Sequence, residues 1–218
     1  MKHIRRLLIA FSALAVAFMG LSAAVAAGVM RTLDHDVSSF MTQIWWPPLQ
    51  LPFRGLAMLG GIEITTLLAV GLGIWLWRRG FGVDALAPLA LSAVVVVEVL
   101  YKKIVDHPAP PPDLQHGDGP SLSLLFERTG VAGSFPSGHM VRAVVVYGLL
   151  AFVIARLAER RLVKRLAVIL AVVVIGAESF DRLYLNVHWE SDVFGGLLLG
   201  GLGLAGAIIW LDRPRIST

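Results

Sequence analysis

Pro136-Ser137-Gly138-His139 stands immediately before an apolar run. Serine favours the position that opens a helix, and the free amides of a helix start form an anion site reinforced by the helix dipole. Gly138 lets a ligand come close to the backbone. Taken alone, the plainer reading is the stronger: Ser137 caps, and His139 is a solvated loop residue. A second stretch runs from Asp181 to Asp192. If it is helical, His188 and Asp192 are four residues apart on one face. A carboxylate held on one imidazole nitrogen fixes the tautomer and makes the other nitrogen the better nucleophile. Arg182 adds a forked, permanent cation suited to phosphate. Singly, each of these residues also fits an interfacial pair or a snorkelling arginine. Together with a second histidine at a helix start, they favour chemistry.

Other charged residues fall into three groups. Lys102 and Lys103 end an apolar segment, where lysines anchor the membrane interface by default; an anion held between two histidines would also recruit them. Asp106, Asp113 and Asp118 are scattered through a proline-rich loop and read as solvated, with no evident metal cage. Glu98 and Glu178 lie within or at the end of apolar segments and should face a bundle interior or water.

The elements that must position these residues follow from composition. Of 218 residues, 56% are apolar and 16% charged, and the mean hydropathy is +0.75. Soluble domains average roughly 45–50% apolar and about 25% charged, so an ordinary soluble domain and a disordered chain are both excluded. With no cysteine, disulfides, thiolate metal sites and a cysteine nucleophile are excluded too. The net charge of +4 is not gathered into a patch, which argues against a nucleic-acid partner. Apolar segments run over 7–30, 62–77, 85–101, 141–157, 166–180 and 193–211, giving six expected crossings. Ala24-Val25-Ala26 imitates a signal-peptidase site, but the first segment is long for a signal peptide and reads as a retained span. With both termini cytoplasmic, twelve of the 19 Lys and Arg residues fall on the inner side and seven on the outer. The basic 156–165 hairpin dominates that bias. The two longest connections, 31–61 and 102–137, then lie outside, and the second is long enough to be functional. Gly196 and Gly200 in the last span allow close helix packing, either within one chain or between two, so oligomeric state stays open.

These pieces resemble the type-2 phosphatidic acid phosphatase family, whose pattern is K-x6-R-P, then P-S-G-H, then S-R-x5-H-x3-D. The middle block is complete at 136–139, and Arg182, His188 and Asp192 match the last block. The resemblance covers about 101–211 within what reads as a single membrane domain, 1–218. It implies an all-α polytopic bundle of about six transmembrane helices in a bacterial inner membrane, with the active site at the outer face. It further implies hydrolysis of a lipid phosphate or diphosphate without metal or other cofactor. The substrate would be a polyprenyl diphosphate, phosphatidic acid or phosphatidylglycerol phosphate type held in the bilayer. The roles implied are His188 as nucleophile, Asp192 as its partner and His139 as general acid and base. Lys102, Ser137, Gly138 and Arg182 would hold the phosphate. Two departures stand out: Ala109 occupies the arginine position of the first block, and Asp181 replaces the serine before Arg182. His107 or Lys103 would have to supply the missing cation. Transfer to an acceptor other than water, or lipid-phosphate binding without turnover, are the alternatives.

Overall fold

The computed structural model describes residues 2–117 and 133–213. Asp118, read above as solvated, lies outside the described residues, as do two of the Lys and Arg residues counted above, Arg128 and Arg215. The described chain is helical, as expected: α1 (Lys2–Ala26), α2 (Arg31–Gln43), α3 (Gln50–Leu56), α4 (Ile62–Arg78), α5 (Ala90–Ile104), α6 (Gly138–Leu157), α7 (Arg161–Tyr184) and α8 (Glu190–Leu211). A 3-10 segment, Gly82–Leu89, leads into α5.

Five stretches are long and apolar enough to cross a membrane: Ile4–Ala26, Pro47–Arg78, Gly82–Ile104, Gly138–Leu157 and Glu190–Leu211. The sixth expected crossing is α7. Its 24 residues span about 36 Å at 1.5 Å per residue, and Leu166, Ile169, Leu170, Val172 and Val173 on it are exposed. Charges at both ends, from Arg161 to Arg165 and from Glu178 to Arg182, make it the least apolar of the set. Exposed Leu, Ile and Val along α1, α4 and α5 continue the same greasy exterior, which no aqueous protein of this size would tolerate. The chain is an integral membrane protein. The 31–61 connection is not a loose loop: it contains α2 and α3, and α3 continues into the helical stretch that ends with α4.

Helix α6 is the centre of the bundle. Its Val141 and Val145 pack with Phe18, Val94, Phe135 and Leu199. Nearer the other end, Leu149 and Val153 pack with Leu72, Leu76, Ala207 and Leu211. Without a hydrophobic drive between helices in lipid, close van der Waals contact holds such a bundle together. The α8 glycines provide it inside one chain. A Cβ on Gly196 would stand 2.6 Å from the Met140 Cβ, and one on Gly200 would stand 2.7 Å from the Val144 Cβ and 2.9 Å from the Val141 carbonyl. We therefore expect Gly200→Leu to force α8 off α6 and cost about 1–3 kcal/mol, read as a lowered unfolding midpoint in detergent. An unchanged midpoint would show that α8 does not need this approach.

The end of the bundle where α6 and α8 finish is closed by ion pairs. Arg156 at the end of α6 meets Asp212 at 2.6 Å, and Arg213 meets Asp84 at 2.9 Å. The polar residues of interest all lie at the opposite end.

Candidate active site

Four helix ends converge there: the C-terminal ends of α5 and α7 and the N-terminal ends of α6 and α8. The antiparallel order of the spans makes this unavoidable, since each block of interest sits at a helix end that the preceding crossing returns to the same side.

The α7–α8 turn delivers His188. Asn186 there has φ +52°, a left-handed conformation that Asn adopts more readily than most residues. Its side-chain amide donates to Thr42 Oγ1 of α2 at 3.0 Å. Helix α8 begins at Glu190 with Trp189 as its N-cap, so His188 lies ahead of the helix and the expected shared helical face is not formed. The pair closes across the cap instead. Asp192 is the third residue of α8; its Oδ2 accepts the Trp189 N–H at 2.9 Å and stands 3.2 Å from His188 Nδ1. Ser134 also donates to Asp192 Oδ2, and its hydroxyl is 3.1 Å from His188 Nδ1. The Asp192 carbonyl accepts the Ser137 N–H at 2.9 Å, tying the start of α6 to the first turn of α8. His188 Nε2 has no partner among the described residues, and the side chain is 13% exposed while Asp192 is sealed.

Behind Asp192 lies a second polar layer. His107 Nε2 is 3.5 Å from Asp192 Oδ1, 3.9 Å from Asp34 Oδ2 and 3.2 Å from the Ser191 hydroxyl. Asp34 on α2 accepts the Ser191 N–H at 2.8 Å and its hydroxyl at 2.9 Å. Burial pushes the Asp34 carboxyl above its ordinary range, against the opposing pull of the two Ser191 bonds and of His107. His107 thus faces the carboxylate side of the His188 pair. Lys103 and Ala109 are both exposed.

His139 is the second residue of α6 and is buried rather than solvated. Arg182, Arg142, His188 and Lys102 all lie near enough to act electrostatically on its ring, so the two histidines and three cations form one electrostatic cluster. Each cation meets a carboxylate. Lys102 Nζ is 3.2 Å from Glu98 Oε1, and Arg142 Nη1 is 3.8 Å from Glu98 Oε2. Arg182 is fully buried; its Nε donates to Asp181 Oδ2 at 2.8 Å, and its Nη2 donates to the same oxygen. Glu98 and Glu178 both face the bundle interior, as their place in the spans requires. Arg142 also donates from Nε to the Gly60 carbonyl at 3.0 Å, with Nη2 3.5 Å from His139 Nδ1, while Glu178 Oε1 accepts the Gly60 N–H at 3.0 Å. Gly60 is needed for this approach: a Cβ would stand 2.6 Å from Glu178 Oε2 and 3.2 Å from the His139 Cβ.

Ser137 opens α6 without a side-chain cap bond, and its hydroxyl is buried with no partner among the described residues. An unpartnered buried hydroxyl beside uncapped helix amides is a waiting set of donors. Sequence reasoning missed Ser134, Arg142 and Asp34 as members of the site. Ser134 lies three residues before Ser137 and Arg142 three after His139, so proximity was a usable signal for both. Asp34 reaches Ser191 across 157 residues, with nothing local to mark it.

A family model, the PAP2 superfamily, matches residues 81–216. The chain belongs to the PAP2 superfamily. The matched stretch includes Lys102, both site histidines, Arg182 and Asp192, while Asp34 and Gly60 precede it. Among curated PAP2-related proteins, Phosphatidylglycerophosphatase B of Bacillus subtilis (strain 168) is 25% identical over 186 residues, covering 84% of this chain and 85% of that protein. YbjG of Escherichia coli (strain K12), provisionally assigned as an undecaprenyl-diphosphatase, is 32% identical over 151 residues, 68% of each chain. The fold matches the crystal structure of a transmembrane PAP2-type phosphatidylglycerolphosphate phosphatase from Bacillus subtilis. The TM-score is 0.77 at 24% identity, covering 91% of this chain and 94% of that one.

Proposed function

We propose that this PAP2 protein is a lipid phosphate phosphatase that works through a phosphohistidine on His188. One observation carries the reading: His188 Nδ1 is engaged by Asp192 and Ser134 while Nε2 is left without a partner among the described residues, in an electrostatic cluster with a second histidine and three cations. With Nδ1–H directed at the carboxylate, the lone pair rests on Nε2 and attacks phosphorus in line. The N–P bond forms as the ester P–O bond breaks, and His139 gives the departing oxygen its proton. His139 then takes a proton from water, whose oxygen attacks the phosphoryl group and releases His188. Lys102, Arg182, the Ser137 hydroxyl and the Gly138 amide hold the phosphoryl oxygens. Charge neutralisation comes from side chains and amides, without a metal or other cofactor. His107 and Lys103 stand apart from that set in this reading: the first serves the carboxylate, the second the interface.

The substrate is a lipid. An apolar groove of about 480 Å³ runs along α4, the Gly82–Leu89 segment and α5, past Val70, Gly73, Leu86 and Val95, and includes Arg142. A chain lying there has its headgroup end beside the guanidinium that contacts His139. Phosphatidylglycerophosphatase and undecaprenyl-diphosphatase names among the relatives point to the same class, phospholipid or isoprenoid phosphates. The domain acts as one unit, 1–218, with both termini cytoplasmic and the site at the outer face of a bacterial inner membrane, because the basic α6–α7 hairpin lies at the opposite end. The test is phosphate release in detergent from phosphatidylglycerol phosphate, phosphatidic acid and a polyprenyl diphosphate. Release from at least one, and none from a soluble monoester at equal concentration, is expected. No release from any of them overturns the reading.

A further inference from the structure

Each permanent cation of the site is already in contact with a carboxylate, and both carboxylates are isolated from bulk solvent. Glu98 is shared by Lys102 and Arg142 and is 5% exposed. It also presses against the start of α6: a Cβ on Gly138 would collide with Glu98 Oε1 and stand 2.8 Å from Arg142 Nη1. A carboxylate therefore borders the place where the α6 amides and the Ser137 hydroxyl offer donors to an anion. Asp181, fully buried, takes two N–H groups of Arg182 on one oxygen. The related motif has serine there, and alanine at 109 removes a further cation.

We propose that Glu98 and Asp181 are resident competitors of the substrate phosphate, so that phosphate binds by exchange with them and these two residues set how tightly the site holds a free phosphate. The inference rests on the reading of this cavity as a phosphate site. Physically, an arriving oxyanion draws Lys102, Arg142 and Arg182 away from the carboxylates they now face, and it meets the repulsion of those carboxylates meanwhile. The net gain from the headgroup is small. A lipid makes up the difference by lodging its chain in the apolar groove, whereas inorganic phosphate has no chain and leaves. The device favours chain-bearing substrates and limits inhibition by the product.

The measurement is inhibition of lipid phosphate hydrolysis by inorganic phosphate in Glu98→Gln, Asp181→Asn and Asp181→Ser proteins. Each substitution keeps or reduces side-chain volume and removes one competing charge. The inhibition constant should fall about tenfold in each, equivalent to about 1.4 kcal/mol. Asp106→Asn, an exposed acid at the same end of the bundle, should leave it within about twofold, since exposed charges are screened. A merely structural carboxylate would lower the unfolding midpoint and leave phosphate inhibition unchanged or weakened; that result, in whichever of the three variants fold, overturns the exchange. Phosphate-induced stabilisation in thermal unfolding separates the two failures. If wild type hydrolyses no lipid phosphate, yet inorganic phosphate stabilises the variants more than wild type, the phosphatase reading fails and the exchange stands. If turnover is present and inhibition is unmoved, the exchange alone fails.

Discussion

His188→Ala is expected to remain folded and to lose at least about 10³-fold in kcat, the scale on which removal of a covalent nucleophile acts. Its polar partners among the described residues are Asp192 and Ser134, and it belongs to neither apolar core cluster, so truncation should leave the bundle core packed. Size-exclusion behaviour and the unfolding midpoint check that the loss is chemical. The intermediate supplies a second readout. A phosphoramidate is acid-labile, so rapid quenching of wild type with a radiolabelled headgroup should trap label that survives base and is lost in acid. His188→Ala should trap none. His139→Ala should behave differently with a substrate whose leaving group needs no proton: the N–P bond still forms, its hydrolysis lacks a base, and label accumulates. Full phosphate release by His188→Ala would remove the nucleophile assignment, whatever the other variants do.

What the sequence conveyed about this site follows the range of the interactions. Pro136-Ser137-Gly138-His139 and the spacing from Arg182 to Asp192 are local, and helix ends fix where local blocks point. The spans were legible for the same reason: each is a continuous apolar run. Even so, local spacing misled at one point. The four residues from His188 to Asp192 suggest a helical face, but Trp189 caps α8 and takes Asp192 as its capping partner. The His188–Asp192 contact forms there because the cap turns His188 back over the first turn.

The supporting layer was illegible for a physical reason. Asp34 meets Ser191, Arg142 meets Gly60, and Asn186 meets Thr42 across separations of 157, 82 and 144 residues. Such contacts depend on which faces of which spans abut, and apolar periodicity in lipid says little about that, because both the buried and the lipid-facing sides are greasy. Glu98 is the instructive intermediate case. An acid in a span had to face inward, and Lys102 four residues on was within reach. That Arg142 would share it requires α5 against α6. The Asp181 departure could be read as an opposing charge, but only the packed end of α7 shows that its neighbour Arg182 absorbs it.

Asp192→Asn should be nearly as damaging as loss of His188, although the shape of the side chain is retained. The carboxylate accepts from Ser134, from the Trp189 N–H and from His188, and its second oxygen faces His107. An amide has one accepting oxygen. The cap N–H, Ser134 and His188 all meet Oδ2 while Oδ1 faces His107, so the NH2 group either faces His107 or, flipped, gives up the cap and Ser134 bonds and faces His188 Nδ1. In the flipped orientation that donor forces the proton onto Nε2 and blocks the lone pair proposed to attack phosphorus; in the other, the ring loses the charge that steadies its imidazolium. Exchange of the corresponding carboxylate in a Ser-His-Asp triad costs about 10⁴-fold through the wrong tautomer, and about 10³–10⁴-fold in kcat is expected here with KM little changed. Asp192→Glu supplies the control. It restores the charge at a longer reach, so it should recover part of the rate while the α8 cap is strained. The nitrogen resonances of His188 decide between orientation and simple loss of charge: Asp192→Asn should move the proton from Nδ1 to Nε2. Unchanged resonances together with near-wild-type kcat would show that Ser134 alone fixes the ring, and Asp192 would then be a helix cap with no part in the chemistry.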